Sequence, residues 1–217
     1  MIDLHTHTLF SDGQLIVSEL ARRAEETGYR YLGISDHVDS SNLDEVAPRL
    51  IRAAEAINPY LSVKVIPGVE LTHVPPKMIP DMIARARDLG AAHVVVHGQT
   101  LVEPVAPGTN RAAVDGGADI LAHPGLITEA DVNLASEKGV YLEITTRKGH
   151  SLTNGHVARA ARKAGANLVI NTDSHAPSDL ATRDFARSVA LGAGLDDDGF
   201  IAMIQNAEQL LARLGRQ

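Results

Sequence analysis

Gly90-Ala91-Ala92-His93-Val94-Val95-Val96-His97 decides the fold: a glycine where a helix should stop, a β-branched run, then a histidine just past the run. Glycine supplies the left-handed conformation that ends helices, and clustered valines favour a strand. The same phrase recurs in both directions. Strands are predicted at Ile2 to His5, Tyr31 to Ser35, Val63 to Val69, His93 to Val96, Ile120 to Ala122, Val140 to Ile144 and Leu168 to Asn171. Between them lie segments with helical spacing at 14–27, 43–57, 77–89, 110–115, 129–137 and 154–164, several ending at Gly28, Gly90, Gly139 or Gly165. Two more helices, about 180–191 and 197–214, follow the last strand. Such alternation implies an α/β fold with a parallel sheet, and seven units without a visible second domain imply a closed or nearly closed barrel over residues 1–217. An open doubly wound sheet is the alternative, weakened by the lack of a glycine-rich phosphate loop after the first strand.

Composition narrows the function. Among 217 residues, 20 are basic and 27 acidic, with three Phe, four Tyr and no Trp. A groove for long nucleic acid, built from basic and aromatic side chains, is not expected. Cysteine is absent, so any metal must be held by His, Asp or Glu. No basic leader followed by an apolar run is visible, nor about 18 consecutive apolar residues, so the expectation is a cytoplasmic protein without membrane contact.

The candidate ligands sit at strand ends. His5 and His7 alternate with Thr6, so in an extended strand both rings face one side, where they can grip one ion. His37 ends the second strand, Glu70 the third, His97 the fourth and His123 the fifth, while Asp173 and His175 follow the seventh. In a βα barrel those ends form one rim, where active sites are assembled. A lone histidine there is as easily a loop contact, and Asp173-Ser174 could cap a helix. Independent bland roles would not bring the same residue types to the same rim. His93, at the start of its strand, reads as a packed or surface residue, and Asp3 and Asp36 should point away from the ligands and serve as hydrogen-bond acceptors. His73, three residues after Glu70, reads as a substrate contact, a ligand support or plain loop.

Taken in order, His5-Thr6-His7 with Ser11-Asp12-Gly13, Ser35-Asp36-His37, Gly68-Val69-Glu70, His97, His123-Pro124 and Asp173-Ser174-His175 resemble the PHP family, named for polymerase and histidinol phosphatase. The resemblance runs through nearly the whole chain. It implies a distorted (β/α)7 barrel with up to three metal ions at the C-terminal rim of the strands. It also implies a first ion on His5, His7, Glu70 and Asp173, a second on Glu70, His97 and His123, and a third on Asp12, His37 and His175. Some members carry histidine near the position of Asp12.

Imidazole and carboxylate donors suit Zn, Mn or Fe, so two or three such divalent ions are the expected cofactors. Closely spaced ions activate water and clamp phosphoryl oxygens, which points to a metal-dependent hydrolase that cleaves a small phosphomonoester by attack of metal-bound hydroxide on phosphorus. The sixth strand supplies no ligand, leaving Arg147-Lys148-Gly149-His150 free to meet substrate. Arg147, Lys148, Arg183 and His73 are the expected substrate contacts, with Arg111 a weaker one, and His150 is the expected donor of a proton to the leaving group. The loop from Val102 to Thr109, with Pro104 and Pro107, could act as a lid. Two other readings stand beside the histidinol-phosphatase-like one: a phosphodiesterase or nuclease on short oligonucleotides, and a non-catalytic metal-binding docking module.

Overall fold

The β-branched runs become strands wherever the sequence marks them. The computed structural model describes residues 1–215, with strands β1 (Ile2–Thr6), β2 (Tyr31–Ile34), β3 (His37–Val38), β4 (Lys64–Pro67), β5 (Val69–Leu71), β6 (Val94–His97), β7 (Ile120–Ala122), β8 (Tyr141–Thr145) and β9 (Leu168–Asn171). Helices α1 (Val17–Glu26), α2 (Leu43–Ile57), α3 (Ile79–Asp88), α4 (Thr109–Asp115), α5 (Glu129–Lys138), α6 (Asn154–Ala164), α7 (Arg183–Gly192) and α8 (Asp197–Arg213) alternate with them. Every pairing is parallel, as βα connections require.

The barrel is distorted because its second and third strands are each broken in two. The lower halves form the sheet β1-β2-β4, and the upper halves open the six-stranded sheet β3-β5-β6-β7-β8-β9. Both breaks have identifiable causes in contacts distant in sequence. Gly68 separates β4 from β5, and a Cβ there would lie 2.3 Å from the ring of His93, whose Nε2 bonds the carbonyl of Leu4 at 2.9 Å inside the barrel. Between β2 and β3, the buried carboxylate of Asp36 accepts bonds from Thr8 N (2.7 Å), Thr8 Oγ1 (2.7 Å) and Ser11 Oγ (2.6 Å). That turn therefore serves the first rim loop rather than the sheet. The expected packed and hydrogen-bonded roles of His93 and Asp36 are what the structure shows.

β9 returns to β1, which excludes the open sheet. His7 N donates to Ser174 O at 2.9 Å, Leu4 N to Asn171 Oδ1 at 2.9 Å, and Thr172 Oγ1 to Asp3 Oδ2 at 2.5 Å. The apolar core has two compartments. One fills the space between strands and outer helices, and the other lies inside the barrel around Ile2, Leu4, Ile66, Val95, Ile120 and Val169. The inner compartment continues into Ala207, Leu210 and Leu211 of α8, so the last helix plugs the end where the strands begin. Only the rim at the strand C-termini is left for polar chemistry. Among the described residues, no helix is long and apolar enough to cross a membrane.

Candidate metal centre

The rim brings His5, His7, Asp12, His37, Glu70, His97, His123, Asp173 and His175 together. Glu70, buried in the middle of β5 rather than beyond its strand, is the hub. Its Oε1 lies 3.3 Å from His5 Nε2, 3.4 Å from His97 Nδ1 and 3.8 Å from His123 Nε2, and its Oε2 lies 2.7 Å from His37 Nδ1 and 3.7 Å from His7 Nε2. Asp173 faces the hub, with Oδ1 at 3.1 Å from His7 Nε2 and 3.7 Å from His5 Nε2, and Oδ2 at 3.7 Å from His123 Nε2. Asp12 Oδ1 reaches His175 Nε2 (3.1 Å) and His37 Nε2 (3.4 Å) at the more exposed side.

Backbone strain marks the same place. His73, His123 and Asp173 are the non-glycine residues with positive φ among those described, at 53°, 26° and 52°. Side chains disfavour that region, and such strain gathers at functional sites.

These donors fit divalent cations. His5 Nε2, Glu70 Oε1, Asp173 Oδ1 and both ring nitrogens of His7, His97 and His123 are buried without hydrogen-bond partners. Unpaired polar atoms at this density are costly unless something charged satisfies them. The donor atoms fall into compact groups of His5, His7 and Glu70; His5, His123 and Asp173; Glu70, His97 and His123; and His7, Asp12, His37 and His175. Their spacing suits ions bound by imidazole and carboxylate. Electrostatics tie the cluster internally. Burial would raise the carboxyl of Glu70, but the charges and bonds of His5 and His37 hold it well below its usual range. Burial drives His7 down to about 3 and His123 well below an ordinary histidine, keeping both neutral and able to donate lone pairs. At the foot of the first strand, burial pushes Asp3 up to about 7 despite its bonds from Thr172.

Substrate-side expectations fare unevenly. His150 is a held residue rather than a loose loop histidine: its ring stacks on His123 at 4.2 Å, its Nδ1 meets Thr100 Oγ1 at 2.7 Å, and its Nε2 faces Glu103 Oε1 (3.4 Å) and Asp173 Oδ2 (3.8 Å). Arg147 stands at the edge, its Nε 3.8 Å from Asp173 Oδ2 and its guanidinium bonded to Asp179 at 3.1 Å. Exposed Lys148 lines a cavity of about 340 Å³ with Arg147, Thr172 and Phe185. His73 is exposed at the mouth, bonded to Glu103 at 3.2 Å. Arg183 does not join the cluster: its guanidinium lies over the Phe200 ring, 5.5 Å from the centroid, because its position on α7 turns it toward α8. Arg111 likewise turns aside, to Asp131 at 2.6 Å.

Two acids escaped the sequence reading. Glu143, buried inside β8, bonds His5 Nδ1 at 2.7 Å and is steadied by Asn171 Nδ2 at 3.0 Å. Glu103, in the loop after β6, lies between His73, His97 and His150. A charged residue in an otherwise apolar strand was the available signal for Glu143. Nothing in the sequence distinguished Glu103.

Residues 3–100 match the PHP domain family profile. An uncharacterized protein of Methanocaldococcus jannaschii is 51% identical over 195 residues, 89% of each chain. A Clostridium novyi protein named as a probable phosphatase is 28% identical over 209 residues, covering 81% of this chain and 79% of its own. Among solved structures, a chain in archaeal ribonuclease P with mature tRNA superposes with a TM-score of 0.75 at 19% identity, covering 99% of this chain and 91% of its own. Lactococcus lactis histidinol phosphate phosphatase, complexed with zinc, L-histidinol and phosphate, superposes with a TM-score of 0.61 at 17% identity, covering 90% of this chain and 94% of its own. At those identities the structures share the fold. With a distorted parallel barrel, the ordered His-x-His, Glu and Asp-x-His rim motifs and the matching profile all present, the chain belongs to the PHP domain family.

Proposed function

We propose that this chain, one PHP-like domain over residues 1–217, hydrolyses a small phosphomonoester with two or three divalent ions held by the nine rim residues. Family membership and phosphatase-named relatives support the coarser reading of a metal-dependent phosphoesterase, a hydrolase of phosphoester bonds. The single observation that carries it is the set of buried, unpartnered imidazole and carboxylate donors converging on Glu70 and Asp173. Bound there, divalent ions would lower the pKa of coordinated water to about 7 and neutralise phosphoryl oxygens.

The chain's own residues have separate tasks in this reading. Thr100 fixes His150 Nδ1, leaving Nε2 turned toward the Asp173 side to hold the proton that the leaving oxygen takes up. Arg147, held by Asp179 beside Asp173, offers its remaining N–H groups to a phosphate oxygen. Lys148, which lines the same cavity as Arg147, is a further substrate contact. The burial of His5, His7, Glu70, His97, His123 and Asp173 favours a terminal phosphate over an internal diester.

The test is hydrolysis by purified protein loaded with Mn or Zn, read as inorganic phosphate from monoesters and as released phenol or nucleotide from diesters. The substrates are an aryl phosphate, its bis-aryl diester, a short oligonucleotide and a panel of phosphometabolites including histidinol phosphate. Monoester cleavage exceeding diester cleavage is the expected result. Preference for the diester or oligonucleotide would replace this reading with the nuclease one. No cleavage by a protein that retains its metal would leave a docking module.

A further inference from the structure

The geometry points to a further divalent-cation seat at the mouth of the cluster, made by His73 Nε2, His97 Nε2 and the carboxylate of Glu103. It rests on the metal-centre reading and adds residues outside the nine rim ligands. Glu103 Oε2 lies 3.2 Å from His73 Nε2 and 3.1 Å from His97 Nε2. Donors about 2.0–2.2 Å from a tetrahedral ion lie roughly 3.3–3.6 Å from one another, so these two pairs need to open only slightly to admit an ion. The three donor atoms fall within 4.8 Å of each other.

Two independent observations favour a ligand over a plain loop contact. His97 is 3% exposed, and both its nitrogens lack a hydrogen-bond partner, Nδ1 facing Glu70 and Nε2 facing Glu103. An inner ion satisfies one of them. An outer ion takes the other by displacing its N–H proton to water, so that His97 bridges the two ions as an imidazolate. His73 holds a φ of 53°, a cost the chain otherwise bears, outside glycine and among described residues, only at His123 and Asp173, both placed in the cluster. An exposed loop residue without a task would not need that conformation.

The donor set of two imidazoles and one carboxylate selects zinc or manganese over calcium or magnesium, and leaves a fourth position for water or a substrate oxygen. It also gives the loop after β6 a closing device. Between Leu101 and Gly108, Glu103 is the side chain whose polar contacts reach the rim histidines, while Leu101 and Val102 stay 56% and 49% exposed. An ion gripped by Glu103 fastens that loop over the cluster.

The experiment counts metal in the full chain by elemental mass spectrometry after loading with Zn or Mn alone and desalting, for wild type, Glu103→Gln, His73→Asn and His73→Gly. His73→Gly removes the ligand while accepting the positive φ without strain. Each variant should lose one ion per chain and keep the others. An unchanged count overturns the seat. Loss of every ion also overturns it, since the two residues would then serve the inner cluster. A wild-type chain that binds no metal fails the proposed function together with this seat, whereas a loaded wild type with unchanged variants fails the seat alone.

Discussion

Glu143 shows how one residue decides what a histidine can do. Its carboxylate takes Nδ1–H of His5 at 2.7 Å, which leaves Nε2 with its lone pair turned to Glu70 and Asp173. Carboxylate partners of this kind orient metal-binding imidazoles, and losing one costs about 10–100-fold in metal affinity. Glu143→Gln, which keeps an acceptor, should weaken zinc binding by about tenfold, and Glu143→Leu by about a hundredfold, as measured by competition with a chromophoric chelator. Equal affinity in all three proteins would show that His5 needs no such partner. Eight of the nine rim ligands are legible in the sequence because each stands at or just past a β-branched run, and a shared rim follows from topology alone; Asp12, in the loop after β1, is implied only by the family resemblance. Glu143 is not legible there, since the face it presents depends on its partners across the barrel. Arg183 was misassigned for a related reason: helix phase, not distance along the chain, turned it to Phe200.

At the scale of elements, the seven βα units and their approximate bounds followed from the pattern, but the breaks that turn seven strands into nine did not. The sequence shows one run from Val63 to Val69, whereas the structure ends β4 at Pro67 and resumes with β5 at Val69. The cause is a long-range contact, the His93 ring against Gly68. Filling that space should be expensive. Gly68→Ala places a methyl 2.3 Å from the ring, and overpacking of this sort costs about 1–3 kcal/mol, to be read as a lower denaturant midpoint with an unchanged slope. Helix ends are simpler. Thr128 caps α5 by accepting from Asp131 N at 3.1 Å, so Thr128→Ala should cost about 1 kcal/mol in the same measurement and leave metal binding intact. A cost near zero would mean that packing alone sets the start of α5.

Across the whole molecule, stability and chemistry occupy opposite ends of the barrel. α8 seals the lower end with Leu210 and Leu211, while the cluster fills the upper one. Leu210→Ala should therefore cost about 2–5 kcal/mol of stability without changing the number of ions bound, by denaturant titration and metal analysis of the same preparation. Metal should act from the other end. Binding only to the folded chain adds about 2.7 kcal/mol per site at 100 times its dissociation constant, so Zn or Mn should raise the melting temperature and a chelator should reverse the rise. The family barrel and its ligand rim could be anticipated from ordered motifs. The plug could not, because two helices after the last strand do not announce which end they cover.

Phosphate release from an aryl phosphomonoester by Mn- or Zn-loaded protein, compared between wild type and Asp173→Asn, tests the central claim most directly. Asp173 touches His5, His7 and His123 and lies beside Arg147 and His150, so its loss should remove the reaction. The expected result is turnover by wild type that a chelator abolishes, and a fall in Asp173→Asn larger than the about 100-fold cost of losing an outer-shell partner. Turnover in Asp173→Asn equal to wild type, or wild-type turnover untouched by complete removal of metal, would contradict the account.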